Sequence, residues 1–417
     1  MSFRVVEHVI PGQHIREHPH SIRGHQEAPL QLAIKQYIPL DQIDPVPDNA
    51  VTIIGVHGNG SPKELYEPLW ERLSAQLKTQ SVPLRAIWIA DVSHQGASGV
   101  LNEEIQSDTT NWYDHSRDLL HMVNHFREEF PRPIIGVAHS MGCAQLVHLS
   151  ILHPRLFSTL ILIEPVISGL QHGHFNPASF VARRRDVWET REKAEAGLRK
   201  SLRKWDPEVV DRYLTFGLRS TPTRLYNRDR DPNLPASAVT LATTRHQESW
   251  SYTLPNLEPE SAGLDRLLLP DWSVEQERPY TYARPECLSA MQNLPLVRPG
   301  VLWVFGSESY LSPPEAQDAK VRATGTGLGG SGGVAKGMVE KVVLQGASHT
   351  LVFEEISKTA TVVGDWVGRW FQGWMADEEI LARYQSKRSD SGMLEMSKAS
   401  LEATRLTFGT PRPKGKL

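Results

Sequence analysis

The segment 133–142 constrains the fold of this chain more than any other stretch. Residues 133–137 form an apolar run of strand type, and the residues after 142 have the composition of a helix. Ser140 stands between them, with the small residues Ala138 and Gly142 two positions away on either side. A strand, a tight turn with a central serine and a helix form the pattern of a nucleophile elbow. The common pattern has glycine at both flanking positions, so Ala138 is a departure and the interpretation depends on the rest of the chain.

Strand-type and helix-type patterns alternate on both sides of this segment. Apolar runs of strand length occur at residues 50–56, 84–89 and 159–163, and the sequence between them has helical spacing. Such alternation predicts an α/β fold, with a mostly parallel central sheet and helices on both of its faces.

The alternation stops after Glu164 and resumes at Gly300. The sequence in between contains strongly charged helical stretches, followed by proline-rich irregular sequence. An insertion at this point predicts a mainly helical cap over the carboxyl edge of the sheet, where open α/β folds bind ligands. The expected division is a core of residues 1–169 and 296–385, a cap of 170–295 and a polar C-terminal tail of 386–417.

Composition argues against several classes of function. The 417 residues carry a net charge of −3 and contain no basic module of the kind that binds nucleic acid. Two cysteines are too few for a disulfide framework or a cysteine-rich zinc site, and we expect neither a metal nor a cofactor. The apolar runs fall short of the ~18 residues that a membrane span needs, and the charged N-terminus is unlike a signal peptide. We therefore expect a soluble intracellular protein.

A serine hydroxyl acts as a nucleophile near neutral pH only when a base lies within hydrogen-bond reach. In an α/β-hydrolase that base is a histidine in the loop after the last strand, and it follows the acid in chain order. His349 stands in the loop that follows the strand-type run 339–344, and Glu164 lies between Ser140 and His349 in the sequence. The order serine, acid, histidine predicts the α/β-hydrolase fold, with Ser140, Glu164 and His349 as its catalytic residues.

Two carboxylates are candidates for the acid. The usual acid stands three residues after the glycine that ends the strand before the last one. Here Ser309 occupies that position after Gly306, and Glu308 is one residue early. Glu164 follows the strand directly after the elbow, and its longer side chain helps it to reach the histidine loop. We favour Glu164 and keep Glu308 as the alternative.

Two backbone amides are expected to stabilise the oxyanion of a tetrahedral intermediate. In this fold one N–H belongs to the residue after the nucleophile, here Met141, and the other to the loop after the third core strand. That loop is 57–60, in which glycines flank Asn59, so the Asn59 amide is the expected second donor. Loss of one such donor costs on the order of 3 kcal/mol of transition-state stabilisation.

Several longer stretches resemble one group of fungal proteins. They read EHVIPG at 7–12, KELYEPLW at 63–70, RAIW at 85–88 and HPRLF at 153–157. On these stretches, which extend over most of the chain, the sequence resembles the fungal α/β-hydrolases of secondary metabolism. That group is typified by the peroxisomal acyl-CoA hydrolase of the mycophenolic acid pathway, and it includes relatives from host-selective toxin clusters.

This resemblance implies a serine hydrolase that cleaves the CoA thioester of a secondary metabolite. It also implies that the acid follows the strand after the elbow, although the mycophenolate enzyme has aspartate where this chain has Glu164. The tripeptide Gly415-Lys416-Leu417 resembles the address that the peroxisomal import receptor binds, with glycine in place of serine. The expected location is the peroxisomal matrix, or the cytoplasm if the tripeptide is not functional.

Other functions on the same scaffold stay open. An esterase or lactonase would use the same three residues, because they do not distinguish oxygen from sulfur leaving groups, and a non-hydrolytic cyclase or binding protein could share the fold. The cap is expected to select the acyl group, and its basic residues at 183–185 and 199–200 are either CoA phosphate ligands or solvated charges. Tryptophans at every fourth position of 366–374 favour core packing, with a homodimer interface as the second option.

Overall fold

The computed structural model describes residues 2–169, 177–252, 260–264, 284–388 and 390–406. Eleven strands occur in these residues. In chain order they are β1 (Phe3–Pro11), β2 (Gln31–Pro39), β3 (Val51–Val56), β4 (Leu84–Ala90), β5 (Ile134–His139), β6 (Thr159–Ile163), β7 (Val187–Trp188), β8 (Leu218–Ser220), β9 (Val239–Leu241), β10 (Gly300–Gly306) and β11 (Val339–Leu344).

Eight of these strands form a central sheet in the order β1-β2-β4-β3-β5-β6-β10-β11. All pairs from β4 to β11 are parallel, whereas β1 with β2 and β2 with β4 are antiparallel. The prediction of a mostly parallel sheet is therefore confirmed. The central strands β3, β5, β6 and β10 are buried along their whole length. Strands covered on both faces carry mostly apolar residues, which is why they appear as nearly continuous apolar runs.

Helices connect the strands of the sheet and also fill the interval between β6 and β10. Those in the core are α1 (Glu67–Thr79), α2 (Gly96–Leu101), α3 (Trp112–His125), α4 (Met141–Leu152) and, after the interval, α10 (Pro314–Ala323), α11 (Leu351–Glu354) and α12 (Ile356–Ser386). A short 3₁₀ helix, Lys63–Tyr66, precedes α1, so the helical pattern that begins at Lys63 forms two joined elements.

The interval between β6 and β10 contains the residues for which the sequence predicts a cap, and we keep that name for them. Its described helices are α5 (Pro177–Val181), α6 (Arg191–Ser201), α7 (Pro207–Phe216), α8 (Arg245–Trp250) and α9 (Pro285–Asn293). It also contains a three-stranded antiparallel sheet in the order β7-β9-β8. Sequence patterns did not indicate this small sheet, because strands of two or three residues are too short to show alternation.

Two compact units make up the chain, Met1–Gly368 and Arg369–Leu417. In the first unit Trp366 is buried and donates its indole N–H to the Thr159 hydroxyl at 2.9 Å, so this tryptophan does pack in the core. In the second unit Trp370 and Trp374 are half-buried. That unit contains the end of α12 and the helices α13 (Asp390–Leu394) and α14 (Lys398–Leu406). No helix among the described residues combines the length and apolarity that crossing a membrane requires.

Candidate active site

Ser140 occupies the sharp turn between β5 and α4. Its backbone has φ 56° and ψ −119°, a strained conformation for a residue with a side chain. The turn lies so close to β3 that a Cβ on Gly142 would be only 2.7 Å from the Val56 carbonyl oxygen. Glycine is therefore required at 142, whereas the buried methyl group of Ala138 is tolerated on the strand side. The strained backbone of Ser140 and the close approach of Gly142 to β3 are the geometry of the elbow that the sequence predicts.

His349 lies in the loop between β11 and α11, and its side chain faces the elbow. Its Nε2 is 3.0 Å from the Ser140 hydroxyl oxygen, and its Nδ1 is 3.1 Å from Glu164 Oε2. A histidine held between a serine and a carboxylate can remove the serine proton while the carboxylate balances the charge that forms. The structure thus brings together all three side chains that the sequence nominated.

Glu164 follows β6 directly, and its side chain is fully buried. Its backbone has a φ of 50°, and its N–H donates to the Val304 carbonyl of β10 at 2.8 Å. The Gly306 N–H donates to Glu164 Oε1 at 2.6 Å, which fixes one carboxylate oxygen. The other oxygen, Oε2, faces His349.

Glu308, the alternative acid, does not lie in this arrangement. It is exposed, and its backbone N–H donates to the Ala347 carbonyl at 2.9 Å. The neighbouring Ser309, at the position where the common pattern has the acid, donates its hydroxyl to Glu164 Oε2 at 2.5 Å. A hydroxyl donor has therefore taken the usual place of the acid and binds the carboxylate that comes from the adjacent strand.

The loop 57–60 lies directly against the elbow. A Cβ on Gly58 would be 3.1 Å from Ser140 Cβ, so only glycine permits this approach. The Asn59 side chain donates through Nδ2 to the Glu248 carbonyl at 2.9 Å and accepts from Gln95 Nε2 at 2.6 Å. Gln95 also accepts the Gly60 N–H at 2.8 Å. These bonds hold the predicted oxyanion loop to the cap helix α8 and to the residue that precedes α2.

Met141, the other predicted donor, is the first residue of α4 and is buried. The first-turn amides of a helix have no acceptor within the helix, so the Met141 N–H is available to a bound oxyanion. The Gly58 and Gly60 amides on either side of Asn59 already have side-chain partners, Tyr66 and Gln95. The Asn59 amide therefore remains the candidate oxyanion donor of that loop.

A second set of buried contacts links the same loop to His349 through the elbow. The Gly58 N–H donates to the Tyr66 hydroxyl at 2.8 Å, and that hydroxyl is 2.9 Å from His139 Nδ1. His139 Nε2 is 3.0 Å from the backbone carbonyl of His349. Since a carbonyl only accepts, His139 carries its proton on Nε2 and accepts from Tyr66 at Nδ1. Burial, followed by the nearby His349, lowers the pKa of His139 to about 3, so the ring is neutral.

Sequence reasoning missed Tyr66, His139, Gln95 and Ser309. Two of them had a visible signal, because Tyr66 lies in the 63–70 stretch and His139 directly precedes the nucleophile. Neither signal specified a role, since a tyrosine or histidine in such a place is as often an ordinary core residue. The other two gave no signal beyond the missing aspartate at 309.

Four of the five basic residues at 183–185 and 199–200 have partners within the protein. Arg183 donates to the Ser179 carbonyl of the preceding helix α5, and Arg185 donates to the Val187 carbonyl at 2.9 Å. Arg184 forms an ion pair with Glu248, and Arg199 forms one with Asp211 at 2.8 Å. Two of these arginines are thus paired with carboxylates, and the other two are held by backbone carbonyls. Among the described residues, no cluster of three or more histidine, cysteine, aspartate or glutamate side chains could hold a metal ion.

Comparison with known proteins adds a family and named relatives. The model of the alpha/beta hydrolase family matches residues 53–363. A type I acyl-CoA thioesterase, mpaH of Penicillium roqueforti, is 39% identical over 388 residues, which cover 89% of this chain and 88% of the relative. The mpaH' thioesterase of Penicillium brevicompactum is 38% identical, with 88% and 87% covered. The Alternaria alternata abhydrolase domain-containing protein AFT2-1 is 32% identical over 57% of this chain and 83% of its own length.

A solved structure supports the fold assignment. The peroxisomal alpha-beta-hydrolase Lpx1 of Saccharomyces cerevisiae superposes with a TM-score of 0.67, covering 93% of this chain and 99% of that one. Its sequence identity of 16% is low, so the similarity concerns the fold alone.

Proposed function

This chain belongs to the alpha/beta hydrolase family, and within that family we propose that it is a serine hydrolase that cleaves acyl-CoA thioesters to a free acid and CoA. One observation carries the proposal for its chemistry. His349 lies between Ser140 and Glu164, at 3.0 and 3.1 Å, in the geometry that activates a serine. The thioester substrate is supported by the relatives of 37–39% identity, which are named type I acyl-CoA thioesterases.

In the first half of the proposed reaction, Ser140 Oγ attacks the thioester carbonyl carbon as His349 Nε2 takes the hydroxyl proton. The buried Glu164 carboxylate accepts a hydrogen bond from Nδ1 and balances the positive charge on the ring. The Met141 and Asn59 amides donate to the oxyanion. The carbon–sulfur bond then breaks, and the imidazolium returns its proton to the departing CoA sulfur, which leaves an acyl ester on Ser140.

In the second half a water molecule attacks the acyl ester. His349 takes one proton from this water, and the same two amides stabilise the second oxyanion. The bond between the acyl carbon and Ser140 Oγ breaks, and His349 returns the proton to the serine. One thioester and one water are consumed, and one carboxylic acid and one thiol are produced.

A two-step experiment tests this proposal. A fluorophosphonate probe should label the wild-type chain and fail to label Ser140→Ala, because the probe reports serine nucleophilicity without regard to the natural substrate. Free thiol released from a panel of aromatic and polyketide-like acyl-CoAs should then appear with the wild type only. Labelling together with ester turnover but no thioester turnover would favour an esterase or lactonase. Absence of labelling would favour a binding protein or a non-hydrolytic enzyme.

We also propose a peroxisomal location. It is supported by the resemblance of Gly415-Lys416-Leu417 to an import tripeptide, although these residues lie outside the described structure. Such a location would give the enzyme access to CoA thioesters. A fluorescent fusion that leaves this tripeptide at its C-terminus should co-localise with a peroxisomal marker, and a Lys416→Glu fusion should not.

A further inference from the structure

A cavity of about 390 Å³ lies between the loop 103–108 of the core and the cap residues 219–250. This volume is typical of a site for a small molecule. Four arginines line the cavity, namely Arg23, Arg219, Arg224 and Arg230, against the two acidic residues Glu103 and Asp108. The lining therefore has an excess of positive charge, which favours an anionic ligand.

The four arginines are not equivalent. Arg219 forms an ion pair with Glu103 at 2.5 Å, and Arg224 forms one with Glu104. Across the described parts of the chain, no carboxylate lies within ion-pair distance of Arg23 or Arg230, both of which are exposed. The guanidinium group binds phosphate oxygens with two parallel hydrogen bonds, so these two side chains are the natural phosphate ligands of the cavity.

An aromatic side chain completes the cavity. Trp250, at the end of α8, is half-buried and contributes to the lining. A tryptophan ring beside arginines is the arrangement on which proteins stack a nucleobase while they bind its phosphates. The combination therefore favours a nucleotide over a simple anion such as sulfate or a dicarboxylate.

Buried contacts join this cavity to the oxyanion loop. The ring of Trp250 lies 6.1 Å from that of His94, and His94 Nε2 is 2.9 Å from the hydroxyl of Ser251, the next residue along the chain. The same hydroxyl accepts from Gln95 Nε2 at 2.9 Å, and Gln95 holds the Asn59 side chain. The cavity is thus only a few side chains from the loop beside the nucleophile.

We propose that this cavity binds the 3′-phospho-ADP end of CoA, an inference that rests on the proposed thioesterase function. Arg23 and Arg230 bind the phosphates, Trp250 stacks on the adenine, and the pantetheine arm extends toward Ser140. The ion pairs of Arg219 and Arg224 hold the cavity walls in place. On this assignment, the run 183–185 has no part in CoA binding.

A binding measurement tests the site without reference to catalysis. Adenosine 3′,5′-bisphosphate is titrated by calorimetry into the full-length wild type, the Arg23→Gln/Arg230→Gln variant and the Arg183→Gln/Arg199→Gln variant. The last of these is a control, because it makes the same change of charge at two cap residues that do not line the cavity. We expect the first double variant to bind about 100-fold more weakly, at about tenfold for each charge-assisted contact, while the control stays within about twofold of wild type. Equal affinities of all three proteins, or an equal loss in the control, would overturn the assignment.

A second ligand, ADP, identifies the source of the nucleotide. ADP, which has no 3′-phosphate, should bind at least about tenfold more weakly than adenosine 3′,5′-bisphosphate if the cavity is built for CoA. Equal binding of the two would overturn the assignment to CoA and indicate a general adenine-nucleotide site.

A kinetic comparison separates failure of this site from failure of the proposed function. Hydrolysis of one acyl group is measured as its CoA thioester and as its N-acetylcysteamine thioester, which lacks the nucleotide. In the wild type, kcat/KM should be at least about 100-fold higher for the CoA thioester, and the Arg23→Gln/Arg230→Gln variant should lose most of that preference. Equal kcat/KM values in the wild type would overturn the cavity assignment while leaving the thioesterase intact. If neither thioester is hydrolysed, the proposed function fails, and the calorimetric titration still decides whether the cavity binds a nucleotide.

Discussion

The His139 ring donates a hydrogen bond to the backbone carbonyl of His349 at 3.0 Å. His139, the residue before the proposed nucleophile, therefore holds the main chain of His349, the proposed base. Because His139 also accepts from Tyr66, whose hydroxyl accepts from the Gly58 amide, one buried chain of bonds connects the oxyanion loop, the elbow and the histidine loop. In a buried site such a network fixes positions that individual loops would not hold.

The first prediction concerns this chain of bonds. Tyr66→Phe should lower kcat about tenfold, which corresponds to a loss of about 1.4 kcal/mol of transition-state stabilisation. KM should change by less than about twofold, because the lost bonds align the base and the oxyanion loop and do not contact the substrate. Steady-state kinetics of thioester hydrolysis and the rate of fluorophosphonate labelling of Ser140 should decrease together.

Tyr113→Phe is the matched control for this variant. Its hydroxyl is also buried and donates to the Glu286 carbonyl at 2.8 Å, at a place that contacts neither Ser140 nor His349. We expect it to reduce the free energy of unfolding by about 1 kcal/mol without altering kcat. If Tyr66→Phe behaved in the same way, the tyrosine would be a core residue only.

The second prediction concerns the acid. Glu164→Gln should lower kcat by roughly 10³–10⁴, since a neutral side chain cannot balance the charge on the His349 ring. Glu308→Gln should leave kcat within about twofold of wild type, because Glu308 is exposed and does not face the histidine. The reverse result would transfer the role of the acid to Glu308.

The third prediction uses Ser309, whose hydroxyl lies 2.5 Å from Glu164 Oε2, the same oxygen that faces His349 Nδ1 at 3.1 Å. An aspartate at 309 should approach His349 from the position that the common pattern uses. Glu164→Ala/Ser309→Asp should therefore recover at least about tenfold in kcat over Glu164→Ala. No recovery would mean that the loop after β10 cannot direct a carboxylate to the histidine.

Ser309→Asp in the presence of Glu164 provides the contrasting variant. Two adjacent carboxylates repel each other, and one of them takes up a proton more readily than an isolated acid would. We expect kcat to fall and its pH dependence to move to higher pH, whereas Ser309→Ala should lower kcat only about threefold. A Ser309→Asp chain with wild-type kinetics would contradict this account of the site.

Much of this site follows from the order of residues at the ends of strands. In a parallel sheet the residues that follow β5, β6 and β11 meet at one edge. The sequence alone therefore predicts that Ser140, Glu164 and His349 lie in one site. The roles of Tyr66, His139 and Gln95 depend on which side chains from distant segments meet in the interior. Sequence patterns within one segment do not show which side chains from distant segments will be in contact.

The cap illustrates the same limit. Its charged helices were visible in the sequence, but whether an arginine faces a carboxylate or a cavity depends on packing between segments far apart in the chain. Arg184 meets Glu248, whereas Arg23, far outside the predicted cap in sequence, lines the same cavity as Arg219 and Arg230. Charge runs on helices therefore did not identify the cationic surface that is open to a ligand.

The last prediction concerns stability at low pH. Burial lowers the pKa of His94 and of His139 to about 3 each, against about 6.5 in the unfolded chain. Because the folded-state pKa is depressed, the unfolded chain binds more protons below pH 6.5, and the stabilisation present at pH 7 is lost as the pH falls. Each histidine should contribute about 2 kcal/mol to the loss between pH 7 and pH 5. Urea unfolding at both pH values should show a smaller loss for His94→Gln than for wild type, by about that amount. His25→Gln, at an exposed position, should show the wild-type loss, and an equal loss in all three chains would mean that His94 is not buried in its neutral form.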